Sequence, residues 1–178
     1  MRRVILKMHS SIDGFVLGPG DDLDWAFRTF DDEMAAWEVA GLWEAGVHAM
    51  GRATYEVMAE HWPASNEAFA PPMNEIPKLV FSQTLERADW GPVRVARGEP
   101  GEEIAALRAE PGEAILVHGG PRFAGSLIQR DLVDEYRLVV HPVAIGEGEP
   151  LFRTRLDLTL ADVRRFPAGA VALVYTRP

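Results

Sequence analysis

Short apolar runs alternate with longer mixed segments along this chain of 178 residues. Apolar and β-branched runs of this length are typical of buried strands. They predict six strands, at residues 4–8, 47–50, 78–81, 93–96, 115–117 and 136–141. The segments between them predict a long helix that Asp31 or Asp32 caps and that Gly46 ends, a helix opening at Gly51, and helices at 102–109 and 122–130.

The end of the chain follows a different pattern. Residues 156–165 and 170–176 flank a Pro-Ala-Gly turn at 167–169 and predict an antiparallel hairpin. Stretches 17–24, 64–77 and 144–150 are rich in Gly or Pro and predict loops. Strands that alternate with helices favour an α/β fold with a mostly parallel sheet, to which the hairpin adds antiparallel strands. We expect a single domain over residues 1–178.

Composition excludes several classes of function. The formal net charge is −9, and nucleic-acid binding needs clustered Lys and Arg, so we expect no nucleic-acid partner. The chain has no Cys, which excludes disulfides and thiolate metal sites, and its five His lack metal-ligand spacing. No apolar run approaches the ~20 residues of a membrane span, and no signal-peptide pattern opens the chain. We therefore expect a cytoplasmic protein without a metal site or a membrane partner.

The stretch at 115–123 is the most informative in the chain. A predicted strand stops at Gly119 and Gly120, and Pro121 then opens a predicted helix. Consecutive glycines allow a sharp turn and close approach of a ligand, and Pro suits the first helical position. The free N–H groups of the helix start then form a potential anion site. A tight strand-to-helix connection without a ligand explains the same residues.

A second junction repeats this pattern. After the strand at 47–50, Gly51 turns the chain, Arg52 offers a planar positive charge, and Thr54 offers a hydroxyl near the helix start. Ligands of open α/β sheets bind at the carboxyl ends of the strands, so two such junctions favour a dinucleotide site. At a third strand end, Ser82 and Thr84 could hydrogen-bond a sugar or phosphate, although the segment by itself favours a polar turn. The chain has no G-x-G-x-x-G, Walker A or G-x-S-x-G motif.

Candidate proton donors follow the first strand. His9 and Asp13 could relay a proton, although Asp13-Gly14 also fits an Asx turn in which the carboxylate bonds nearby backbone. Asp31 and Asp32 fit helix caps, and a carboxylate at either position could also face a pocket. Trp25 fits an exposed loop or the lid of a pocket.

Five motifs resemble, in order, those of the dihydrofolate reductase-like superfamily. Within it, the chain is most similar to the C-terminal reductase domain of the bifunctional riboflavin deaminase-reductase family, as a stand-alone member. The matching segments are KMHSSIDG at 7–14, MGRATYE at 50–56, PKLVFS at 77–82, VHGG at 117–120, and the segment from His141-Pro142 through GEGEPLF at 146–152.

The resemblance implies a three-layer dihydrofolate reductase-like fold that binds NADPH. It places Gly51, Arg52 and Thr54 at the cofactor phosphates and Ser82 and Thr84 near the adenosine. Gly119, Gly120, Arg122 and Phe123 would line the pyrophosphate and nicotinamide side, and Val16 is a further candidate for cofactor contact. By the same resemblance, the Gly119–Gly120 peptide bond is expected to be cis.

The implied function is reduction of a small-molecule substrate by NADPH, similar to that of 5-amino-6-(5-phosphoribosylamino)uracil reductase. The substrate would be a small heterocycle or a sugar imine, with Asp13, His9 and Asp32 as catalytic candidates and Trp25 and Asp31 as substrate contacts. Dihydrofolate reduction and a non-catalytic nucleotide-binding role are the alternatives. We expect no deaminase domain, since the cysteines of that domain are missing, and the family's substrate-phosphate residues find no clear match. Relatives of this kind are often homodimers, which we also expect here.

Overall fold

The apolar runs assemble into one central sheet in the computed structural model, which describes residues 1–178. Ten strands and six helices make up the chain. In order, they are β1 (Val4–Ser11), β2 (Phe15–Leu17), α1 (Asp24–Phe27), α2 (Asp32–Trp43), β3 (Ala45–Gly51), α3 (Arg52–His61), α4 (Ala70–Glu75), β4 (Lys78–Phe81), β5 (Val93–Ala96), α5 (Pro100–Ala109), β6 (Ala114–His118), α6 (Pro121–Gln129), β7 (Glu135–His141), β8 (Glu149–Pro150), β9 (Thr159–Arg165) and β10 (Val171–Thr176).

The central sheet has eight strands in the order β5-β4-β3-β6-β1-β7-β10-β9. The first six are parallel, and β10 and β9 continue the sheet in antiparallel pairing. The mostly parallel sheet and the C-terminal hairpin are therefore confirmed. The parallel strands end at one edge, and β1 lies between β6 and β7 at its centre.

Helices cover both faces of the sheet. Because side chains alternate along a strand, Met8 and Val117 point to one face and Ile5 and Leu116 to the other. The first face packs into a core of 19 buried residues that includes α5 and α6, and the second into a core of 10 that includes α2, α3 and α4. A third core of five residues joins α2 to the C-terminal hairpin. The result is the expected three-layer arrangement.

Four short elements were not predicted. They are β2, α1, α4 and β8. The expected loop at 64–77 contains α4, because Pro71 and Pro72 occupy its first turn, where a missing N–H costs no hydrogen bond. Gly46 does not end the long helix, which stops at Trp43, and lies inside β3 instead. No helix is both long and apolar enough to cross a bilayer.

Candidate functional site

Two strand-to-helix junctions meet at the carboxyl edge of the sheet. β3 ends at Gly51 and α3 begins at the next residue, while β6 is followed by Gly119 and Gly120 and then by α6. The Thr54 hydroxyl donates a hydrogen bond of 3.1 Å to the Gly119 carbonyl oxygen. This bond connects the first turn of α3 to the glycine turn, so the two junctions form one surface.

The glycine turn has no room for side chains. A Cβ on Gly119 would lie 2.7 Å from Met8 Sδ, and one on Gly120 would lie 3.0 Å from Thr54 Oγ1. Gly120 has a φ of +112°, which L side chains rarely adopt. No peptide bond in the chain is cis, so the expected cis Gly119–Gly120 bond is wrong, and the positive φ of Gly120 turns the chain instead.

The N-termini of α3 and α6 are open to a ligand. Gly51 and Gly120 are the N-cap residues, and neither helix start has a side-chain cap. The first N–H groups of both helices are thus left without side-chain acceptors, and the helix dipoles add positive potential. A Cβ built on Gly51 would lie 3.4 Å from Phe123 Cβ, which shows how closely the two helix starts approach. Such a surface suits a phosphate or pyrophosphate.

Arg52 extends this surface toward the end of β4. Its Nη1 donates to Thr84 Oγ1 over 2.6 Å, and its Nε donates to Glu56 Oε1 over 2.7 Å. Ser82 Oγ accepts from the backbone N–H groups of Thr84 and Leu85, which fixes the turn that presents Thr84. The guanidinium is about half exposed, and its Nη2 makes no hydrogen bond within the chain, so it can donate to an anion at this edge.

The remaining candidates for cofactor contact occupy three different environments. Phe123 packs its ring 4.9 Å from the ring of Phe81, at the base of the helix starts. Arg122 is exposed in the first turn of α6, and its side chain makes no hydrogen bond or ion pair. Val16, on β2, is buried in the large core. The structure thus brings Phe123 to the junctions and leaves Val16 beneath the surface.

The acidic candidates connect loops. Asp13 Oδ2 accepts from Gly146 N over 2.8 Å, and Oδ1 accepts from Ile145 N over 3.3 Å. The Ser11 hydroxyl, followed by these backbone bonds, lowers the pKa of Asp13, so its carboxylate is ionised at neutral pH. Asp13 therefore joins the loop after β1 to the loop before β8 rather than its own turn.

Asp31 and Asp32 lie at the start of α2. Asp31 caps the helix through Met34 N and also accepts from Ala168 N over 2.8 Å, bonds that lower its pKa. Asp32 is exposed in the first turn. Neither contacts the glycine junctions. Trp25 is buried rather than exposed, and its ring stands edge-on to His141 at 5.6 Å.

His9 belongs to a chain of polar contacts beside the junctions. Its Nδ1 lies 2.9 Å from His141 Nε2, and His141 Nδ1 lies 2.7 Å from Thr29 Oγ1. On its other side, His9 Nε2 lies 3.1 Å from Glu38 Oε1, and Lys7 Nζ donates to Glu38 Oε2 over 2.6 Å. Five side chains from β1, β7, α2 and the segment before α2 thus form one network, which we call the His9 network.

The network fixes the charge of its buried members. Burial raises the pKa of Glu38, but the charges and hydrogen bonds of Lys7 and His9 outweigh burial and lower that pKa to about 2. Burial and the nearby charge of His9 lower the pKa of His141 to about 4, against the opposing charge of Glu38. At neutral pH, Glu38 is therefore an anion and His141 is neutral.

A second pair of histidines lies deeper on the same face of the sheet. His48 on β3 and His118 on β6 are buried and stack with ring centroids 4.6 Å apart, and His48 Nδ1 bonds His118 Nε2. Burial, followed by the charges of Lys78 and Lys7, lowers the pKa of His48 to about 3, and burial also lowers the pKa of His118. Both rings are therefore neutral in the folded protein at neutral pH.

Sequence reasoning missed Thr29, Glu38 and His141 as members of a site. A signal for Glu38 was present, because this acidic residue falls among apolar positions of α2 and is 3% exposed. Lys7 and His9, two residues apart in an apolar strand, must also share one face. Their partners are far away in the sequence, so the pattern gives the positions of the polar residues but not their pairing.

A polar concavity lies away from the junctions. It measures about 630 Å³ and is lined by Glu60, Glu67 and their polar neighbours beyond the end of α3. Carboxylates at this opening repel an anionic ligand, so the concavity is a poorer candidate for a dinucleotide site than the junctions are.

Known proteins share both the sequence pattern and the architecture. The sequence profile of the RibD C-terminal domain matches residues 2–172. Two proteins of Bacillus subtilis (strain 168), both called uncharacterized, are similar over almost their whole length. YyaP is 29% identical over 98% of this chain and 94% of its own, and YwjB is 26% identical over 99% and 98%.

Solved structures agree on the fold. A putative riboflavin biosynthesis protein from Shewanella sp. PV-4 superposes with a TM-score of 0.80 at 21% identity, covering 99% of both chains. A diaminohydroxyphosphoribosylaminopyrimidine deaminase/5-amino-6-(5-phosphoribosylamino)uracil reductase from Thermotoga maritima gives 0.71 at 15% identity, covering 99% of this chain and 57% of that one. With the family profile spanning nearly every residue on a matching fold, the chain belongs to the RibD C-terminal domain family, a family of reductases.

Proposed function

We propose that this protein is an NADPH-dependent reductase of a small heterocyclic or sugar-imine substrate. One observation carries the proposal: the uncapped N-termini of α3 and α6 meet at the carboxyl edge of the sheet through the bond between Thr54 and Gly119. This arrangement offers backbone N–H groups from two helices to one dianionic group, beside the exposed Arg52. Membership of a reductase family supports the same reading.

The residues fit a nicotinamide dinucleotide. Gly119 and Gly120 leave the space that close backbone approach to a pyrophosphate requires, since a Cβ on either would meet a neighbouring side chain. Arg52 and Thr84 would hold the phosphate nearer the adenosine end. When bound, the cofactor would supply a hydride, and the protein would orient the substrate and exclude water. The reductase named in the Thermotoga maritima protein supports a ribosylamino-pyrimidine as the substrate class.

Removing the guanidinium should weaken NADPH binding. We expect Arg52→Ala to raise the Kd for NADPH roughly 10- to 100-fold, because charge-assisted bonds to phosphate are among the stronger hydrogen bonds. Titration of intrinsic fluorescence and a thermal-shift series with NADPH measure the change.

A surface arginine away from the junctions provides the control. Arg87 is exposed and pairs only with Asp89, so Arg87→Ala removes the same charge without touching the site. Its Kd should equal that of the wild type. No binding of NADPH by the wild-type protein at millimolar concentration would overturn the proposed function.

A substrate panel separates the catalytic alternatives. NADPH oxidation is followed with 5-amino-6-(5-phosphoribosylamino)uracil and with dihydrofolate. Turnover of the first supports the proposal, and turnover of dihydrofolate alone supports a dihydrofolate reductase. Binding of NADPH without turnover of any pterin, flavin precursor or imine supports the non-catalytic role.

We also propose that the chain forms a homodimer through its C-terminal hairpin. The edge strand β9 is exposed along its length, and Leu160 and Val163 are about half exposed, at 51% and 49%. A long exposed edge with apolar side chains favours pairing with another chain. Light scattering should show a dimer for the wild type and a monomer for Leu160→Lys/Val163→Lys. A monomeric wild type would contradict this proposal.

A further inference from the structure

The His9 network can hold one extra proton without leaving any of its ring nitrogens unpaired. When His9 is neutral, its Nε2–H faces Glu38, its Nδ1 accepts from His141 Nε2–H, and His141 Nδ1 accepts from the Thr29 hydroxyl. When His9 is charged, its Nδ1–H donates to His141 Nε2, and His141 Nδ1–H then donates to Thr29 Oγ1. The same contacts serve both states with the donor and acceptor roles reversed.

Charged and polar groups around the network favour a single site for the extra proton. Glu38 is an anion 3.1 Å from His9, and Lys7 neutralises the other oxygen of that carboxylate. Arg137, on β7, lines the small cavity beside Lys7 and Glu38 but pairs with Glu135 and Glu44. His141 is fully buried and resists a charge of its own. The extra proton therefore resides on His9, next to the carboxylate.

In the charged state, one hydrogen of the network has no acceptor in the chain. Both nitrogens of His9 face Glu38 and His141, and both nitrogens of His141 face His9 and Thr29. The Thr29 hydroxyl, which makes no other hydrogen bond, accepts from His141 and keeps its own hydrogen free to donate outward. Thr29 is partly exposed, so an outside acceptor can reach this hydrogen.

The network adjoins the proposed cofactor surface. On the neighbouring strand β6, His118 pairs with Lys7 and is the residue before Gly119. His9, two residues beyond Lys7 on β1, therefore lies beside the glycine turn. His141 ends the next strand on the other side of β1. The aromatic rings of Trp25 and Phe30 lie 5.6 Å from His141 and 6.4 Å from His9, and they provide flat apolar surface beside the polar chain.

We propose that the His9 network is a proton relay whose outlet is the Thr29 hydroxyl and which, in the proposed reductase, protonates the substrate during reduction. The C=N carbon of the substrate takes a hydride from NADPH, which becomes NADP⁺, and the nitrogen takes the Thr29 hydrogen. Thr29 Oγ1 then takes a proton from His141 Nδ1, and His141 Nε2 takes a proton from His9 Nδ1. His9 is left neutral and takes its next proton from water. This step rests on the proposed function.

Histidine tautomers report the relay without any substrate. In protein labelled with ¹⁵N-histidine, acidification should move the His141 hydrogen from Nε2 to Nδ1 as the pair takes up its proton, before His141 itself becomes charged. Thr29→Val is nearly isosteric and removes the acceptor for Nδ1–H. The variant removes a hydrogen bond from both states, but the bond in the charged state is the stronger one because His9 then carries a positive charge. The midpoint of this switch should therefore move down by roughly half to one pH unit. Glu38→Gln should move it in the same direction, because it removes the anion.

Turnover tests the delivery step. With the ribosylamino-pyrimidine as substrate, Thr29→Val should lower kcat at least about tenfold while KM changes little, because only proton transfer is impaired. Thr154→Val removes an exposed hydroxyl from the segment between β8 and β9 and should match the wild type in both measurements.

Each outcome has a distinct meaning. An NADPH-dependent thermal shift with a fixed His141 tautomer, or with wild-type kcat in Thr29→Val, overturns the relay and leaves the proposed reductase intact. A tautomer switch in a protein that does not bind NADPH overturns both the reductase and the delivery step. NADPH binding without any turnover overturns the reductase first and the delivery step with it.

Discussion

Replacing Gly120 with valine is expected to abolish NADPH binding and to lower the free energy of unfolding by about 3 kcal/mol. At a φ of +112°, a β-branched residue is strained by roughly 1–3 kcal/mol. Its Cβ would also stand 3.0 Å from Thr54 Oγ1 and displace the hydroxyl that joins the two junctions, a hydrogen bond worth about 1 kcal/mol. Urea unfolding measures the stability, and a thermal-shift series with NADPH measures the binding.

Gly125 provides a matched control five residues further along. It lies inside α6, its φ is not positive, and a Cβ there would meet no atom within 4 Å. Gly125→Ala should keep NADPH binding and gain about 0.5–1 kcal/mol of stability from helix propensity. If Gly120→Val binds NADPH as the wild type does, the glycine turn is not part of the cofactor site.

Local sequence patterns were sufficient for most of the sheet. β4 and β5 begin and end where their apolar runs do, and β1, β3, β6 and β7 contain the predicted runs and extend beyond them. The extensions carry polar residues such as His9 and Glu135, which an apolar pattern excludes. The sequence pattern did not predict α4, because the two prolines in its first turn are also typical of a loop. β2 and β8 pair only with each other, so their strand character depends on a contact across more than 130 residues.

The two junctions of the site could be predicted for the same local reason. Gly51-Arg52 and Gly119-Gly120 each lie within a few residues of a strand end and a helix start, so the sequence alone indicates the turn. The His9 network could not be predicted, because its central contact joins His9 to His141, 132 residues apart, and depends on β1 and β7 being neighbours in the sheet. A histidine in a predicted strand indicates a polar contact, but the sequence does not identify the residue that it contacts.

The buried histidine pair should make the protein sensitive to acid. Histidine in an unfolded chain has a pKa near 6.5, whereas burial holds the pKa of His48 at about 3 and that of His118 well below its usual range. Below about pH 6.5, these two histidines therefore bind protons in the unfolded chain but stay neutral in the folded chain. The stability from the neutral pair is present above that pH and is lost as the pH falls, by about 2 kcal/mol per histidine between pH 7 and pH 5.

Urea unfolding at pH 7 and pH 5 measures this loss, and the double variant His48→Leu/His118→Leu should reduce the difference between the two pH values by about 4 kcal/mol. His141, whose pKa is about 4, contributes to the same window in both proteins, and Glu38, whose pKa is about 2, contributes only below about pH 4.5. The comparison therefore isolates the pair. His61 is exposed, so His61→Gln serves as the control and should keep the wild-type difference. An unchanged difference in the double variant would mean that the pair is already protonated in the folded protein and would contradict this prediction. Protonation is unfavourable there because the rings are buried and stacked and Lys78 is nearby.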